Sequence, residues 1–270
     1  MRFSIVTISY NQAQFVRSAI ESVLAQDYPE LEYVVVDPGS TDGARDVIEA
    51  YRGRITQIVY RPDRGAAEGL NNGFSYVGGD IFGFLNSDDI LLPGALSRVA
   101  RAFEDNPDVD LVMGHIHIID EQGRKLRNSY ADEFDRRAFA YGGCTICQPA
   151  TFFRARAFRD VGGFNINSRV SWDTDLFLDM LESSARHMLI EDFLAGFRMH
   201  DQSLTGLRNG VAHLAHFERR FERLMGRPWR RSDELIRYFY YARKYWLRPR
   251  SLWERLSRGS IFKSSFAPKY

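Results

Sequence analysis

Cysteine is nearly absent: Cys144 and Cys147 are the only two in 270 residues, so a disulfide framework is excluded and a reducing compartment suits the chain. A tetrahedral zinc site needs four ligands and no second pair accompanies them, so Cys144-Thr145-Ile146-Cys147 is read as packing, not as a metal or redox centre. Long apolar runs are missing too. Nothing approaches the ~18 residues of a membrane-spanning helix, and the first residues lead straight into a strand pattern without the apolar core and cleavage site of a signal peptide. The expected compartment is therefore the cytoplasm. Neither internal repeats nor low-complexity segments occur, and 44% hydrophobic content is enough for one large α/β domain with a full core. Glycine is lacking at one informative place. The first strand candidate runs into Asn11-Gln12-Ala13-Gln14, with neither Gly nor Lys, which argues against a Rossmann dehydrogenase and against a sugar-1-phosphate nucleotidyltransferase with its basic, glycine-rich triphosphate loop.

The formal net charge of +1 conceals an asymmetry, because residues 211–270 hold 15 Lys and Arg against 5 Asp and Glu, leaving 21 basic and 30 acidic residues in 1–210. An acidic body with a basic, aromatic tail implies two parts with different partners, the tail facing something anionic. A boundary near Leu207 gives residues 1–206 as a catalytic-type domain and 207–270 as a helical extension.

Within the body, Phe3 to Tyr10 reads as a buried strand, and Phe15, Ala19, Ile20, Val23 and Leu24 recur at helical spacing. Leu31 to Asp37 is a second β-branched run, ended by Pro38-Gly39 and followed by turn and cap residues Ser40-Thr41-Asp42-Gly43 before a helix near Ala44 to Tyr51. Strands near Thr56 to Tyr60 and Asp80 to Leu85 flank a helix near Ala66 to Val77, and a further helix follows Pro93. Such alternation implies an α/β fold with a mostly parallel, Rossmann-like sheet. In open parallel sheets ligands sit beyond the carboxyl ends of the strands, and those ends carry Tyr10-Asn11, Asp37, Arg61 to Gly65 and Asn86 to Asp89. The four clusters are expected to share one crevice. After a strand at Leu111 to Ile119 the alternation weakens, and Gln122 to Gly143 is expected as a loop over that crevice.

Asn86-Ser87-Asp88-Asp89 places adjacent carboxylates at a strand tip. Hard cations such as Mg²⁺ or Mn²⁺ bind one or two carboxylates and complete their shell with waters and substrate phosphates, so the cluster is a candidate metal site; an N-cap for the next helix is the competing reading. Asp63-Arg64-Gly65 lies where helix-start amides and a guanidinium can meet phosphate oxygens, against the alternative of a capped surface turn.

Thr7-Ile8-Ser9-Tyr10-Asn11, Asp37-Pro38-Gly39-Ser40-Thr41-Asp42-Gly43, Arg61-Pro62-Asp63-Arg64-Gly65 with Asn71-Asn72-Gly73, and Leu85-Asn86-Ser87-Asp88-Asp89 occur in an order and spacing that resembles the family 2 glycosyltransferases of the GT-A fold, over about residues 3 to 205. The resemblance implies a donor site for a nucleotide-diphosphate sugar comprising Thr7, Tyr10, Asn11, Asp37, Asp63, Arg64, Gly65, Asn71 and Asp88, with Tyr10 and Asp37 at the nucleoside. It implies a Mg²⁺ or Mn²⁺ cofactor at Asp88 and Asp89, Asp89 being the direct ligand. Two positions depart from the pattern: Pro38 and Asn86 stand where many relatives carry Asp, which leaves the base preference open and the metal with fewer carboxylates. Asp173, in Ser171-Trp172-Asp173-Thr174-Asp175, resembles the acidic residue that deprotonates the acceptor, with Asp175 as substitute and helix capping as the plain alternative. His200, in Arg198-Met199-His200, resembles a late motif that completes the metal or donor site.

These parts imply an inverting transfer of sugar to a saccharide or lipid-linked acceptor, with a non-catalytic binding module of the same fold as the alternative. In the tail, Trp229, Tyr238, Phe239, Tyr240, Tyr241, Tyr245, Trp246 and Trp253 are interleaved with arginines. Two expectations compete: contact with an anionic membrane surface, or packing of Leu235, Phe239, Ala242 and Trp246 onto the acidic body. Nothing resembles a nucleic-acid module, so no nucleic-acid partner is expected.

Overall fold

The computed structural model describes residues 1–168, 171–200 and 210–258, with side chains from 215 onward in the last segment. Strands β1 (Phe3–Ile8), β2 (Leu31–Val36), β3 (Gln57–Val59) and β4 (Ile81–Asn86) are separated by helices α1 (Ala13–Leu24), α2 (Ala44–Glu49) and α3 (Ala66–Phe74). β1 pairs in parallel with β2 and β4, and β2 with β3. The near-continuous apolar strands follow from burial on both faces. Alternation splits them: Phe3, Ile5, Tyr33 and Val35 join one core with α1, while Val6, Val34 and Val36 join the other with Leu70 and Phe74 of α3. Helix α3 comes very close to the sheet, since a Cβ on Gly73 would stand 2.4 Å from Val6 Cγ1.

The chain continues through β5 (Ile90–Leu91), α4 (Ala95–Asp105), β6 (Leu111–Ile119), β7 (Lys125–Ser129), α5 (Arg136–Ala140), β8 (Thr151–Arg154), α6 (Ala155–Asp160), α7 (Trp172–Glu182) and β9 (His187–Arg198). The sheet order is β3-β2-β1-β4-β8-β6-β9-β5, with β7 on β6. The parallel arrangement holds for β1 to β4; beyond it β8 is antiparallel to both β4 and β6, β7 to β6 and β5 to β9, while β6 and β9 are parallel. The second half of the sheet is thus mixed. Gln122 to Gly143 is not a loop over the crevice. It forms β7 and α5, and its apolar residues Phe139 and Tyr141 are buried.

The expected boundary near Leu207 lies outside the described residues. Helix α8 (Gly210–Met225) sinks Phe221 and Leu224 into a core with Ala138, Phe139, Tyr141, Cys144 and Leu178, so the extension and the body share hydrophobic packing. Helix α9 (Asp233–Leu247) then presents its polar side inward. Asp233 is held by Arg227 at 2.6 Å and by the Tyr141 hydroxyl at 3.0 Å, Tyr240 stacks on Tyr141, Lys244 meets Asp132 at 3.0 Å, and just beyond the helix Arg248 meets Glu191 at 3.0 Å. This reverses the packing expected of Leu235, Phe239 and Trp246, which are 75%, 62% and 85% exposed. The body offers carboxylates at this surface, and a basic face satisfies them where an apolar one would strand them.

Cys144 and Cys147 are buried free thiols, and burial pushes both up to about 12. Little thiolate exists near neutrality, so native protein at pH 8 is expected to resist iodoacetamide and to label both cysteines only after denaturant, as read by intact mass. Phe221→Ala is expected to cost about 3–5 kcal/mol in urea unfolding, because Phe221 is fully buried against Tyr141, Phe217 and Trp229.

Candidate active site

Strand register sets up the site before any side chain is considered. Ile8 pairs with both Val36 and Asn86, and Val36 with Val59, so four parallel strands end at one level. The residues just beyond them share an edge. They line a crevice of about 650 Å³ bounded by Ser9, Tyr10 and Gln12, by Pro38 and Gly39, by Asp63 and Gly65, and by Asn86, Ser87 and Asp88, with Trp172 and Phe197 closing it.

Of the donor candidates, Tyr10 is exposed on the rim while Asp63, Gly65 and Asp88 reach the wall. Asp63 accepts from the Gly65 amide at 2.9 Å, and burial raises its carboxyl above the ordinary range. A Cβ on Gly69 would lie 2.7 Å from Asp63 Oδ2, so a bare helix turn makes room for that carboxylate. Asp37 is buried behind the wall. Its Oδ1 accepts from the amides of Gly39 (3.0 Å) and Ser40 (2.8 Å) and from Arg45 Nε (2.9 Å), which shapes the Pro38-Gly39 turn, while Oδ2 has no partner among the described residues.

Four other candidates do not meet the crevice as expected. Thr7 is buried in β1 and its hydroxyl accepts from Tyr33 at 3.0 Å, because the strand's alternation turns it into the core. Asn71 spends both ends of its amide on the backbone of Phe164. Arg64 pairs with Glu68 one turn on at 3.0 Å. Asn11, at a φ of 52°, accepts from the Thr41 amide while its own amide donates to Ser40, tying the β1 and β2 loops together; asparagine tolerates this backbone region better than most residues.

The two carboxylates after β4 part company. Asp88 faces the crevice, with Oδ2 3.0 Å from His200 Nε2, and the His200 ring packs on Phe15. Asp89, expected as an exposed ligand, is 1% exposed. Its Oδ1 accepts from the Arg198 amide at 2.9 Å, its Oδ2 is buried, and burial together with the Asp88 charge holds its carboxyl well above the ordinary range. A carboxylate on the wall beside an imidazole suits a divalent cation whose remaining ligands come from a diphosphate. Among the described residues no group of three or more His, Cys, Asp or Glu could hold a metal alone, so a cation here would need ligands beyond these side chains.

Arg198 organises this corner, a role that sequence reading missed. Its Nε donates to the Asp88 carbonyl (2.7 Å), its terminal nitrogens to the carbonyls of Asp120 and Glu121 and to Ser18 Oγ, and its guanidinium covers the Phe15 ring at 5.0 Å. The available signal was the Arg198-Met199-His200 motif, read there only for its histidine. Gln148, also missed, donates to the Phe84 carbonyl and accepts from Asn86.

Asp173 sits in the first turn of α7, next to the wall residue Trp172, but is not the N-cap, a position held by Ser171 at a φ of 59°. Its half-buried carboxyl accepts from the Thr174 amide and is raised by burial. Asp175 is engaged by Ser168 at 2.5 Å.

The model of glycosyl transferase family 2 matches residues 4–162. The chain belongs to that family. Among its relatives, an uncharacterized glycosyltransferase of Nostoc sp. is 37% identical over 129 residues, covering 47% of this chain and 40% of the relative. A PGL/p-HBAD biosynthesis glycosyltransferase of Mycobacterium tuberculosis is 30% identical over 177 residues, covering 64% of this chain and 67% of its own length. The chain thus spans well under half of the first relative. Among solved structures the fold recurs in S. aureus TarS 1–349 in complex with UDP-GlcNAc (TM-score 0.67, 19% identity, 95% of this chain and 73% of that one) and in a Pyrobaculum calidifontis mannosyltransferase in complex with GDP-Man and Mn²⁺ (TM-score 0.63, 16% identity, 97% and 76%). The fold is GT-A.

Asp89→Ala is expected to lower stability by about 1–3 kcal/mol, the cost of a buried donor left unsatisfied, whereas Asp88→Ala leaves unfolding in urea almost unchanged. Equal effects would mean that Asp89 is not the structural member of the pair.

Proposed function

We propose that this chain is a metal-dependent, inverting glycosyltransferase that moves a sugar from a nucleotide-diphosphate sugar to a hydroxyl of a saccharide or lipid-linked acceptor, in surface polysaccharide or glycolipid assembly. The observation that carries the reading is the crevice itself, where the ends of four parallel strands bring Tyr10, the Pro38-Gly39 turn, Asp63 with Gly65, and Asp88 with His200 around one volume. Family membership supports transfer, the donors named for the solved relatives support a nucleotide sugar, and the mycobacterial relative's name supports a glycolipid setting. Peripheral attachment at the inner face of a membrane suits such an acceptor; among the described residues no helix is long and apolar enough to cross one.

The chemistry asks for neutralised charge on a leaving diphosphate, a placed acceptor and a removed proton. Asp88 and His200 would hold Mg²⁺ or Mn²⁺, which when bound supplies Lewis acidity to the diphosphate. The Gly65 amide is committed to Asp63 and those of Glu68 and Gly69 to the Gly65 carbonyl, which leaves the amides of Ala66 and Ala67 as donors toward phosphate oxygens. Asp173 accepts the acceptor's proton as its oxygen attacks the anomeric carbon from the face opposite the diphosphate, inverting the centre. Burial raises its carboxyl, and a more basic carboxylate is the better proton acceptor. Trp172 and Phe197 exclude water from an oxocarbenium-like transition state, limiting hydrolysis of the donor.

Calorimetry with nucleoside diphosphates, with and without Mn²⁺, is expected to show metal-dependent binding that Asp88→Ala abolishes; affinity that Asp88→Ala leaves intact, still sensitive to chelator, would move the cation elsewhere. Asp173→Asn keeps the hydrogen bond from Thr174 and is expected to retain donor affinity while kcat falls by about 10² or more. Turnover near that of the parent would reduce Asp173 to a helix-start residue.

A further inference from the structure

The basic face of α9 is spent on the body, and its apolar face is not. Leu235, Phe239, Ala242 and Trp246 follow one another at helical spacing on the outward side, opposite Asp233, Arg237, Tyr240 and Lys244. Helix α10 (Pro249–Arg258) continues the surface with exposed Trp253 and Leu256, and Arg258 donates to the Leu126 carbonyl of β7, which brings exposed Leu126 alongside. Arg231, Arg250 and Arg255 of the same stretch are exposed, whereas Arg243 pairs with Asp135 of the body at 3.7 Å. The carboxylates of this stretch are all engaged: Asp233 with Arg227, Glu234 with Arg237 at 3.0 Å, and Glu254 with Arg258 at 3.7 Å.

We infer that the outward face of α9 and α10 is a docking surface for an anionic lipid membrane. This deepens the peripheral attachment proposed above by naming the face and its chemistry. An apolar stripe with tryptophans, bordered by guanidinium groups and free of unpaired carboxylates, matches an interface whose interior is apolar and whose headgroups are negative. Self-association fits poorly, since two copies joined by this face would bring arginines against arginines with no carboxylate to answer them. A lipid surface satisfies both the rings and the charges. The polar docking of α9 on the body has a purpose in this arrangement: it fixes which side of the helix looks outward.

The test uses the full chain, because removing everything after Arg208 would uncover the core that Phe221 fills. Sedimentation with phosphatidylcholine vesicles carrying rising proportions of phosphatidylglycerol is expected to pellet the protein at low salt and release it as salt increases, with a blue shift of tryptophan emission. Arg250→Gln with Arg255→Gln is expected to weaken binding roughly 25-fold, and Trp246→Glu with Trp253→Glu to abolish it, both with parental unfolding in urea. The exposed arginine pair carries the test alone should the tryptophan variant fail to fold. Indifference of the parent to anionic vesicles overturns the inference, as does vesicle binding by the folded tryptophan variant equal to the parent's, or a dimer in gel filtration that this variant dissolves while no vesicle binding is seen. Vesicle binding by a chain without transferase activity would refute the proposed reaction and leave the surface standing.

Discussion

The guanidinium of Arg198 is buried beside the crevice, and the corner that would meet a diphosphate is arranged around it. Its donors hold the main chain of Asp88, the turn at Asp120 and Glu121, and the hydroxyl of Ser18 on α1, while its amide holds the Asp89 carboxylate. A buried arginine is costly unless nearly every N–H is answered. Here the partners come from three segments, so meeting that requirement also fixes β9, the β4 tip, β6's exit and α1 relative to one another. His200, two residues on, is thereby delivered to Asp88.

The division of labour between Asp88 and Asp89 follows from the same corner. Adjacent residues beyond a strand end point in different directions, so one carboxylate faces the crevice and its neighbour faces the protein. The inward one accepts from the Arg198 main chain, and the outward one stays available to a cation and substrate oxygens. Replacement of a second carboxylate by Asn86, whose amide donates to Gln148, turns a further position of the motif toward structure.

At the other end of the molecule the C-terminal helices show how charge selects a packing face. α8 docks by burying Phe221 and Leu224, an ordinary hydrophobic contact. α9 docks by ion pairs and stacked tyrosines because the surface it meets carries Asp132 and Glu191. Its apolar side is left outward as a result, which an intramolecular packing rule alone would not produce.

Much of this was legible in the residues. Apolar runs ending in polar clusters marked β1 to β4, helical spacing marked α1, turn and cap residues marked α2 and Pro93 marked α4, and parallel alternation implied that the clusters after Ile8, Val36, Val59 and Asn86 would meet at one edge. These are local periodicities, and they survive folding because both faces of the sheet are covered. The mixed half of the sheet was not legible, since β8 joins β4 to β6 from a point far along the chain, and strand partners are set by long-range pairing. Likewise Asn71 and Asp89 carry the residue types of a binding site, but the groups that engage each are remote in sequence: Phe164 and Arg198. The amphipathic pattern of α9 was evident in its spacing, whereas the direction in which it faced was decided by carboxylates on the body more than forty residues away, because only the assembled surface sets which side of a helix finds its partners.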